Sequence, residues 1–147
     1  MFFTGRYQNG VDAKGRVSVP APLRAVLKGA EGVFLFPAQH LRCLEGAGQD
    51  FMDKRAALLD GLDPLDERRA ALERLYFGEA VFLGFDAGGR ITLPEALRTE
   101  FGIQNEAVFV GLRDRFELWS PEREAVWAAK AREIAQGVTR LRDLAEG

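Results

Sequence analysis

Two stretches of the chain share one pattern of apolar and polar positions, in which short β-prone runs flank a polar turn. In the second stretch the apolar run at residues 81–85 precedes a turn at residues 86–89, and a run with alternating polarity follows at residues 90–93. This pattern predicts a strand, a loop and a second strand. A proline then favours the first turn of a short helix, and two further β-prone runs follow. Each stretch therefore predicts the order β-loop-β-α-β-β.

The two stretches are copies of one unit. Residues 12–24 return as residues 86–98, displaced by 74 positions, with Asp, Ala, Gly, Arg, Pro, Leu and Arg at identical spacing. Because the matches include charged, turn-forming and apolar positions, we interpret them as an internal repeat. One unit alone would bury too little apolar surface, whereas two units within 147 residues can form an ordinary core. We expect one pseudo-symmetric domain.

The segments between and after the copies predict helices. The first helix covers about Gln49–Leu59, and the second begins at residues 63–66. The apolar side of the second helix consists of Leu65, Leu72, Leu75 and Tyr76. We interpret this pair as a helical hairpin that covers the strands.

A C-terminal helix begins at residues 120–122 and carries an apolar stripe with spacings of four and three. The stripe consists of Trp127, Ala131, Ile134, Val138 and Leu141. Either a neighbouring subunit or this chain itself could cover it. The predicted organisation is a first repeat at 5–47, a helical linker at 48–76, a second repeat at 77–120 and a C-terminal helix at 121–147.

The composition is that of a folded protein in water, with 47% hydrophobic and 29% charged residues. No apolar run approaches the length that spans a membrane, and the N-terminus lacks the pattern of a secretion signal, so we expect a cytoplasmic protein. One cysteine and one histidine provide neither an internal disulfide nor the paired ligands of a zinc site. We therefore expect no metal and no cofactor.

The net charge of −2 hides an uneven distribution. Residues 1–28 carry five lysines and arginines against one aspartate, whereas residues 75–102 carry two arginines against four carboxylates. Since salt screens charges beyond about 10 Å, a local basic patch attracts a polyanion whatever the total charge. The first copy is therefore predicted to bind a polyanion better than the second.

The repeated motif identifies a family resemblance that covers nearly the whole chain. Each copy contains Asp-x-x-x-Arg within Asp-x-x-Gly-Arg-φ-x-φ-Pro, where φ is apolar, and Phe-Glu-Leu-Trp follows at residues 116–119. This arrangement resembles the MraZ family of bacterial transcriptional regulators, and each repeat resembles an AbrB-type (SpoVT-AbrB) DNA-binding unit. The resemblance implies an α+β, strand-rich fold. In that fold two β-loop-β-α-β-β repeats interleave into one pseudo-twofold barrel of the double-psi or swapped-hairpin type, with a helical insertion and a C-terminal helix.

The resemblance also implies a function and partners. It implies a repressor, not an enzyme, that binds short direct repeats in double-stranded DNA upstream of the division and cell-wall gene cluster, including its own promoter. The protomers would form a ring-shaped homo-oligomer, for which eight copies is one candidate size. Such a protein would be cytoplasmic and associated with the nucleoid.

Transferred to this sequence, the first motif makes Arg16 the principal DNA contact, with Lys14 beside it and Asp12 as the organiser of the loop. A guanidinium can meet the acceptor edge of guanine in bidentate fashion, whereas a lysine ammonium suits phosphate. Arg6 and Arg24 are secondary candidates, and an exposed charge without a binding role is the alternative for both.

The second motif gives Arg90 as a DNA contact and Asp86 as the loop organiser. It has Gly88 at the position of Lys14, and a glycine offers no charge to a phosphate. For Arg90, a DNA contact and a structural ion pair with Asp86 are both open.

Two other functions have some support in the sequence. Cys43 and His40 could form a small hydrolase site, but their spacing in a β-prone stretch would direct them to opposite sides. We instead interpret Cys43 as a buried small residue and His40 as a surface loop residue. The second alternative is an AbrB-type antitoxin that neutralises a partner toxin through the C-terminal helix.

Overall fold

Both copies fold in the predicted order of elements. In the computed structural model, which describes residues 1–146, the first copy contains β1 (Arg6–Gly10), β2 (Arg16–Ser18), α1 (Ala21–Val26), β3 (Gly32–Pro37) and β4 (Leu44–Ala47). The insertion contains α2 (Gln49–Asp60), α3 (Glu67–Glu73) and a π-helical turn (Arg74–Gly78). The second copy contains β5 (Val81–Gly84), β6 (Arg90–Thr92), α4 (Glu95–Phe101), β7 (Glu106–Gly111) and β8 (Phe116–Trp119). Two helices follow, α5 (Pro121–Gln136) and α6 (Leu141–Glu146).

The strand order shows that the two copies interleave. Six strands form an antiparallel sheet in the order β1-β7-β8-β4-β3-β5, and β2 pairs with β6 in a separate two-stranded sheet. The first strand of each copy pairs with the third strand of the other, because β1 lies beside β7 and β5 beside β3. The order reads the same from both ends when the copies are exchanged. The α+β, strand-rich fold is confirmed, and the paired strands of residues 1–146 leave β1 and β5 at the sheet edges.

The core lies between the interleaved copies. Apolar side chains from both copies are buried there because alternate residues of a strand face the same side. The largest fully buried side chains of this core include Leu23, Leu35, Leu44, Ile91, Leu93, Phe109, Phe116 and Leu118. Leu44 lies directly opposite Leu118, its equivalent in the second copy. The pseudo-twofold axis that relates the two copies therefore passes through the middle of the sheet, between β4 and β8.

The helical insertion covers part of the sheet, and one predicted contact is wrong. Phe51 and Met52 of α2 are buried beside Phe36 and Tyr76. Leu65, by contrast, is 93% exposed. It precedes α3, whose N-cap is Asp66, so Leu65 lies in a turn and not on the apolar side of the helix. None of the helices within residues 1–146 is long and apolar enough to cross a membrane.

The C-terminal segment forms two helices where the spacing predicts one. Ser120 caps α5 by accepting a hydrogen bond from the backbone N–H of Arg123 at 3.2 Å. The helix ends before Gly137, and glycine within a helix costs about 1 kcal/mol relative to alanine. Of the predicted stripe, Ile134 and Leu141 are 54% and 83% exposed. Gly147, the last residue of the predicted segment, lies outside the described residues.

Candidate nucleic-acid interface

The two-stranded sheet of β2 and β6, called the ribbon below, brings the two motif arginines together. Arg16 lies opposite Thr92 and Ser18 opposite Arg90 in the antiparallel register. Because side chains alternate along a strand, these four residues share the solvent-facing side, and the central residue of each strand is buried. Arg16 and Arg90 are diagonal neighbours on this face, and such neighbours are typically about 7–8 Å apart.

The loop that leads into β2, motif loop 1 (residues 12–16), is held by its aspartate. One carboxylate oxygen of Asp12 accepts hydrogen bonds from the backbone N–H groups of Lys14 at 3.0 Å and Arg16 at 2.8 Å. The other oxygen accepts from Arg16 Nε at 2.6 Å. The backbone hydrogen bond from Arg16 is the main cause that lowers the pKa of Asp12 below its ordinary value. Asp12 therefore organises the loop as an ionised carboxylate.

Motif loop 2 (residues 86–90) has the same hydrogen bonds. Asp86 accepts from the backbone N–H groups of Gly88 and Arg90 at 2.9 Å each, and from Arg90 Nε at 2.8 Å. The backbone hydrogen bond from Arg90 is the main cause of the lowered pKa of Asp86. The side chains of Arg16 and Arg90 are 37% and 40% exposed. The ion pair that is the structural alternative for Arg90 thus exists equally at Arg16.

The charges beside each loop come from the opposite copy. A shallow cleft at motif loop 1 is lined by Glu95 and Arg98 of α4, and its counterpart at motif loop 2 by Ala21 and Arg24 of α1. The charge counts over residues 1–28 and 75–102 therefore do not describe the two loop surroundings. Lys14 is exposed in motif loop 1, and Glu95 lines the cleft beside that loop together with Asp12 and Ala13.

Of the secondary candidates, Arg24 lies beside the ribbon and Arg6 does not. Arg24 donates from Nε to the backbone oxygen of Val19 at 2.9 Å and lies over Gly89 of motif loop 2. Arg6 begins β1, about 20 Å along the chain from Asp12 at 3.3 Å per extended residue. Its guanidinium contacts Glu124 of α5 at 2.7 Å. Arg6 therefore fastens the C-terminal helix to the sheet.

Cys43 and His40 have the surroundings that the sequence predicts. Cys43 is fully buried, and its burial, together with the charges of Glu117 and Glu45, raises the pKa of its thiol well above the ordinary value. His40 lies exposed in the loop between β3 and β4. Since the thiolate is the nucleophilic form of cysteine, this thiol is poorly suited to catalysis.

The contact that sequence reasoning missed is made by Arg98. It is the last matched residue of the second motif, as Arg24 is of the first, and it lies against Gly15 of motif loop 1. The exact recurrence of this arginine at the end of both 13-residue matches was the available signal. Because Arg98 follows motif loop 2 in the sequence, its position along the chain gave no indication that it contacts motif loop 1 of the other copy.

Comparison with known proteins gives consistent similarities. The family model described as "MraZ protein, putative antitoxin-like" matches residues 76–140. The chain is 42% identical over 142 residues to "Transcriptional regulator MraZ" of Parvibaculum lavamentivorans, which covers 95% of this chain and 88% of that protein. Proteins of the same name from Rickettsia canadensis and Rickettsia rickettsii are 43% and 44% identical over 136 residues, covering 90% of this chain and 91% of each relative.

Proposed function

This chain belongs to the MraZ family, and we propose that it is a sequence-specific DNA-binding transcriptional regulator that acts as a repressor. The observation that carries the proposal is the ribbon, whose solvent face combines Arg16 and Arg90 with Ser18 and Thr92. The names of the relatives support regulation of transcription, and a non-enzymatic role agrees with them. We place the protein in the cytoplasm, in association with the nucleoid.

The ribbon has an architecture and side-chain chemistry that suit the major groove. A two-stranded β-ribbon fits this groove, which is about 12 Å wide. The ion pair with Asp12 uses Nε of Arg16, so the terminal nitrogens of the guanidinium can donate to guanine or phosphate. Lys14 beside it supplies a charge for the phosphate backbone. Asp12 and Asp86 hold the arginines in place without contacting DNA themselves.

We further propose that recognition requires several protomers. One ribbon offers a smaller footprint than the 1,000 Å² or so that specific protein–DNA interfaces bury. A ring-shaped homo-oligomer that meets short direct repeats about 10 base pairs apart would gain affinity through avidity, by roughly 10² to 10⁴. The proposed sites lie upstream of the division and cell-wall gene cluster, including the promoter of this protein's own gene.

Fluorescence anisotropy with promoter duplexes tests the proposal. We expect tight binding to duplexes that contain several direct repeats and weak binding to scrambled duplexes. The log-log dependence of affinity on salt should correspond to roughly six or more neutralised phosphates. Inserting half a helical turn between repeats should weaken binding, because alternate sites then face opposite sides of the duplex. A salt slope near zero, or equal affinity for repeat and scrambled duplexes, would refute the proposal.

A second candidate function is that of an antitoxin. The family description contains the words "antitoxin-like", and α6 exposes Leu141 and Leu144, which could contact a toxin. Truncation after residue 136 separates the two functions. A repressor that uses the ribbon should retain affinity for a single DNA repeat after truncation, whereas an antitoxin that uses α6 should lose the ability to protect cells from its toxin.

A further inference from the structure

Arg24 and Arg98 occupy equivalent positions on α1 and α4, and each lies against the motif loop of the other repeat. A β-carbon added to Gly89 would lie 2.5 Å from Arg24 Cζ, and one added to Gly15 would lie 2.7 Å from the backbone oxygen of Leu93 and 3.0 Å from Arg98 Nε. These guanidinium groups thus occupy the space that a side chain at either glycine would need. The close approach links each loop to a helix of the opposite copy.

The two glycines also have backbone angles that suit glycine alone. Gly15 has φ of +87° and Gly89 has φ of +78°, where other residues are strained. In both loops the angle turns the bare α-carbon toward the opposite repeat. The glycine of one copy and the arginine of the other therefore form one packing unit, present twice in the molecule.

Backbone hydrogen bonds join the same partners. The N–H of Leu93 donates to the oxygen of Gly15 at 2.8 Å, and the N–H of Val19 donates to the oxygen of Gly89 at 3.1 Å. Arg24 Nε in turn donates to the oxygen of Val19 at 2.9 Å. A continuous chain of contacts therefore leads from Arg24 through Val19 to motif loop 2.

We propose that Arg24 and Arg98 are positioning residues, each of which fixes the motif loop of the opposite repeat in its DNA-binding conformation. The proposal rests on the proposed function of the loops in DNA binding. It assigns Arg24 a role in shaping the site, where the sequence suggests a DNA contact. The loop that carries Lys14 and Arg16 is then set by a residue of the second repeat.

The two arginines are not equally well bonded. Arg24 Nε has its hydrogen bond to Val19, whereas Arg98 Nε is buried and has no hydrogen-bond partner among residues 1–146. A buried donor without a partner weakens the contact it belongs to. The contact of Arg98 with motif loop 1 therefore lacks the side-chain hydrogen bond that anchors Arg24 beside motif loop 2.

Backbone ¹⁵N relaxation without DNA tests the crossed arrangement. In Arg24→Ala we expect the order parameters of residues 86–90 to fall from about 0.85 toward 0.6, with residues 12–16 unchanged. Arg98→Ala should have the opposite pattern. Arg123→Ala is the matched control, because Arg123 lies over the positive-φ Gly102 outside both loops and should alter neither. Mobility in the loop of the same repeat, or in neither loop, would overturn the proposal.

Affinity for a promoter duplex separates positioning from direct contact. We expect Arg98→Ala to lower the affinity about tenfold without changing the salt slope, since no phosphate contact is lost. Arg98→Lys should not restore it, because an ammonium cannot cover Gly15 as a planar guanidinium does. A slope reduced by about 1, together with rescue by lysine, would instead assign Arg98 to the phosphate backbone and overturn the proposal.

The two measurements fail independently. If the unaltered protein does not bind the duplex, the proposed function is wrong, while the relaxation pattern still decides whether the arginines fix the opposite loops. If an alanine variant does not fold, the lysine variant replaces it in the relaxation measurement. It keeps the aliphatic chain but lacks the planar group, so the same crossed pattern is expected.

Discussion

Motif loops 1 and 2 have one backbone and different charges. Both are closed by an aspartate that accepts two backbone hydrogen bonds and pairs with the motif arginine at 2.6 or 2.8 Å. They differ at their second position after the aspartate, where Lys14 corresponds to Gly88, and in the helix beside them. Glu95 borders motif loop 1, whereas Ala21 borders motif loop 2.

The hydrogen bonds that shape the two loops are alike, whereas the charges that would favour DNA differ between them. Identical hydrogen bonds give the two arginines the same geometry, so geometry alone cannot make one of them the stronger contact. Any difference in DNA binding must come from the charges around them, which act only over about 10 Å at ordinary salt. Substitutions that exchange those charges between the loops are therefore the most informative experiments.

The largest expected effect comes from the arginines. Arg16→Ala should weaken binding to a promoter duplex by about 1–3 kcal/mol per base-reading contact, or roughly five- to 150-fold, measured by anisotropy. Arg90→Ala should weaken it less, because Lys14 has no counterpart beside Arg90. Since the ion pairs are alike, both variants should lower the melting temperature by the same small amount. Normal binding by Arg16→Ala with loss of binding by Arg90→Ala would reverse the ranking.

A smaller effect is expected when the lysine is moved from one loop to the other. Lys14→Gly should weaken binding several-fold and reduce the salt slope by about 1 for each loop that contacts a phosphate. If motif loop 2 also reaches DNA, adding Gly88→Lys to the Lys14→Gly variant should restore both the affinity and the salt slope. Position 88 accepts a side chain, because its β-carbon would be 3.5 Å from the nearest atom, Asp86 Oδ1. A slope that Gly88→Lys leaves unchanged would exclude motif loop 2 from the interface.

A weaker effect should follow from the flanking carboxylate. Glu95→Ala removes a negative charge beside motif loop 1 and should strengthen binding about two- to threefold at low salt, with the gain disappearing as salt rises. Ala21→Glu places the same charge beside motif loop 2 and is the matched comparison. Glu95 lies in the first turn of α4, where an acid favours the helix, so Glu95→Ala should also lower stability slightly. Weaker binding by Glu95→Ala would contradict the expected repulsion between the Glu95 carboxylate and the DNA phosphates.

The sequence predicted the local elements well because their causes are local. Alternating apolar residues in β2 and β6, the loop glycines and the prolines before α1 and α4 act within a few residues of each other. The same is true of α2, predicted at Gln49–Leu59 and observed at Gln49–Asp60. Leu65 was misassigned because the helix begins two residues after it, at Glu67, and a cap position is poorly fixed by spacing.

The pairing between the copies could not be derived from spacing. Nothing local decides that β1 pairs with β7 and not with a strand of its own copy, since the alternation of side chains along β1 is compatible with either partner. Interleaving was implied only by the family resemblance. The charge counts over continuous stretches of sequence took no account of interleaving. They therefore assigned Glu95 and Arg98 to motif loop 2, although these residues lie beside motif loop 1. The number of charged residues in each copy was therefore correct, but the flanking charges were assigned to the wrong motif loop.

The smallest expected difference between the loops is in the titration of Asp12 and Asp86. Hydrogen bonds from the backbone and the motif arginine lower both pKa values below the ordinary 3.8. The contribution of each ionised aspartate to the stability of the folded state is therefore present above pH 3.8. It is lost as the pH falls through the lower pKa that the aspartate has in the folded state. Because each carboxylate has equivalent donors, ¹³C carboxyl shifts should give two midpoints below 3.8 that lie close together. If Asp86 titrates below 3.8 and Asp12 at or above it, the loops do not share one hydrogen-bonded structure, and differences in DNA binding could no longer be attributed to charge alone.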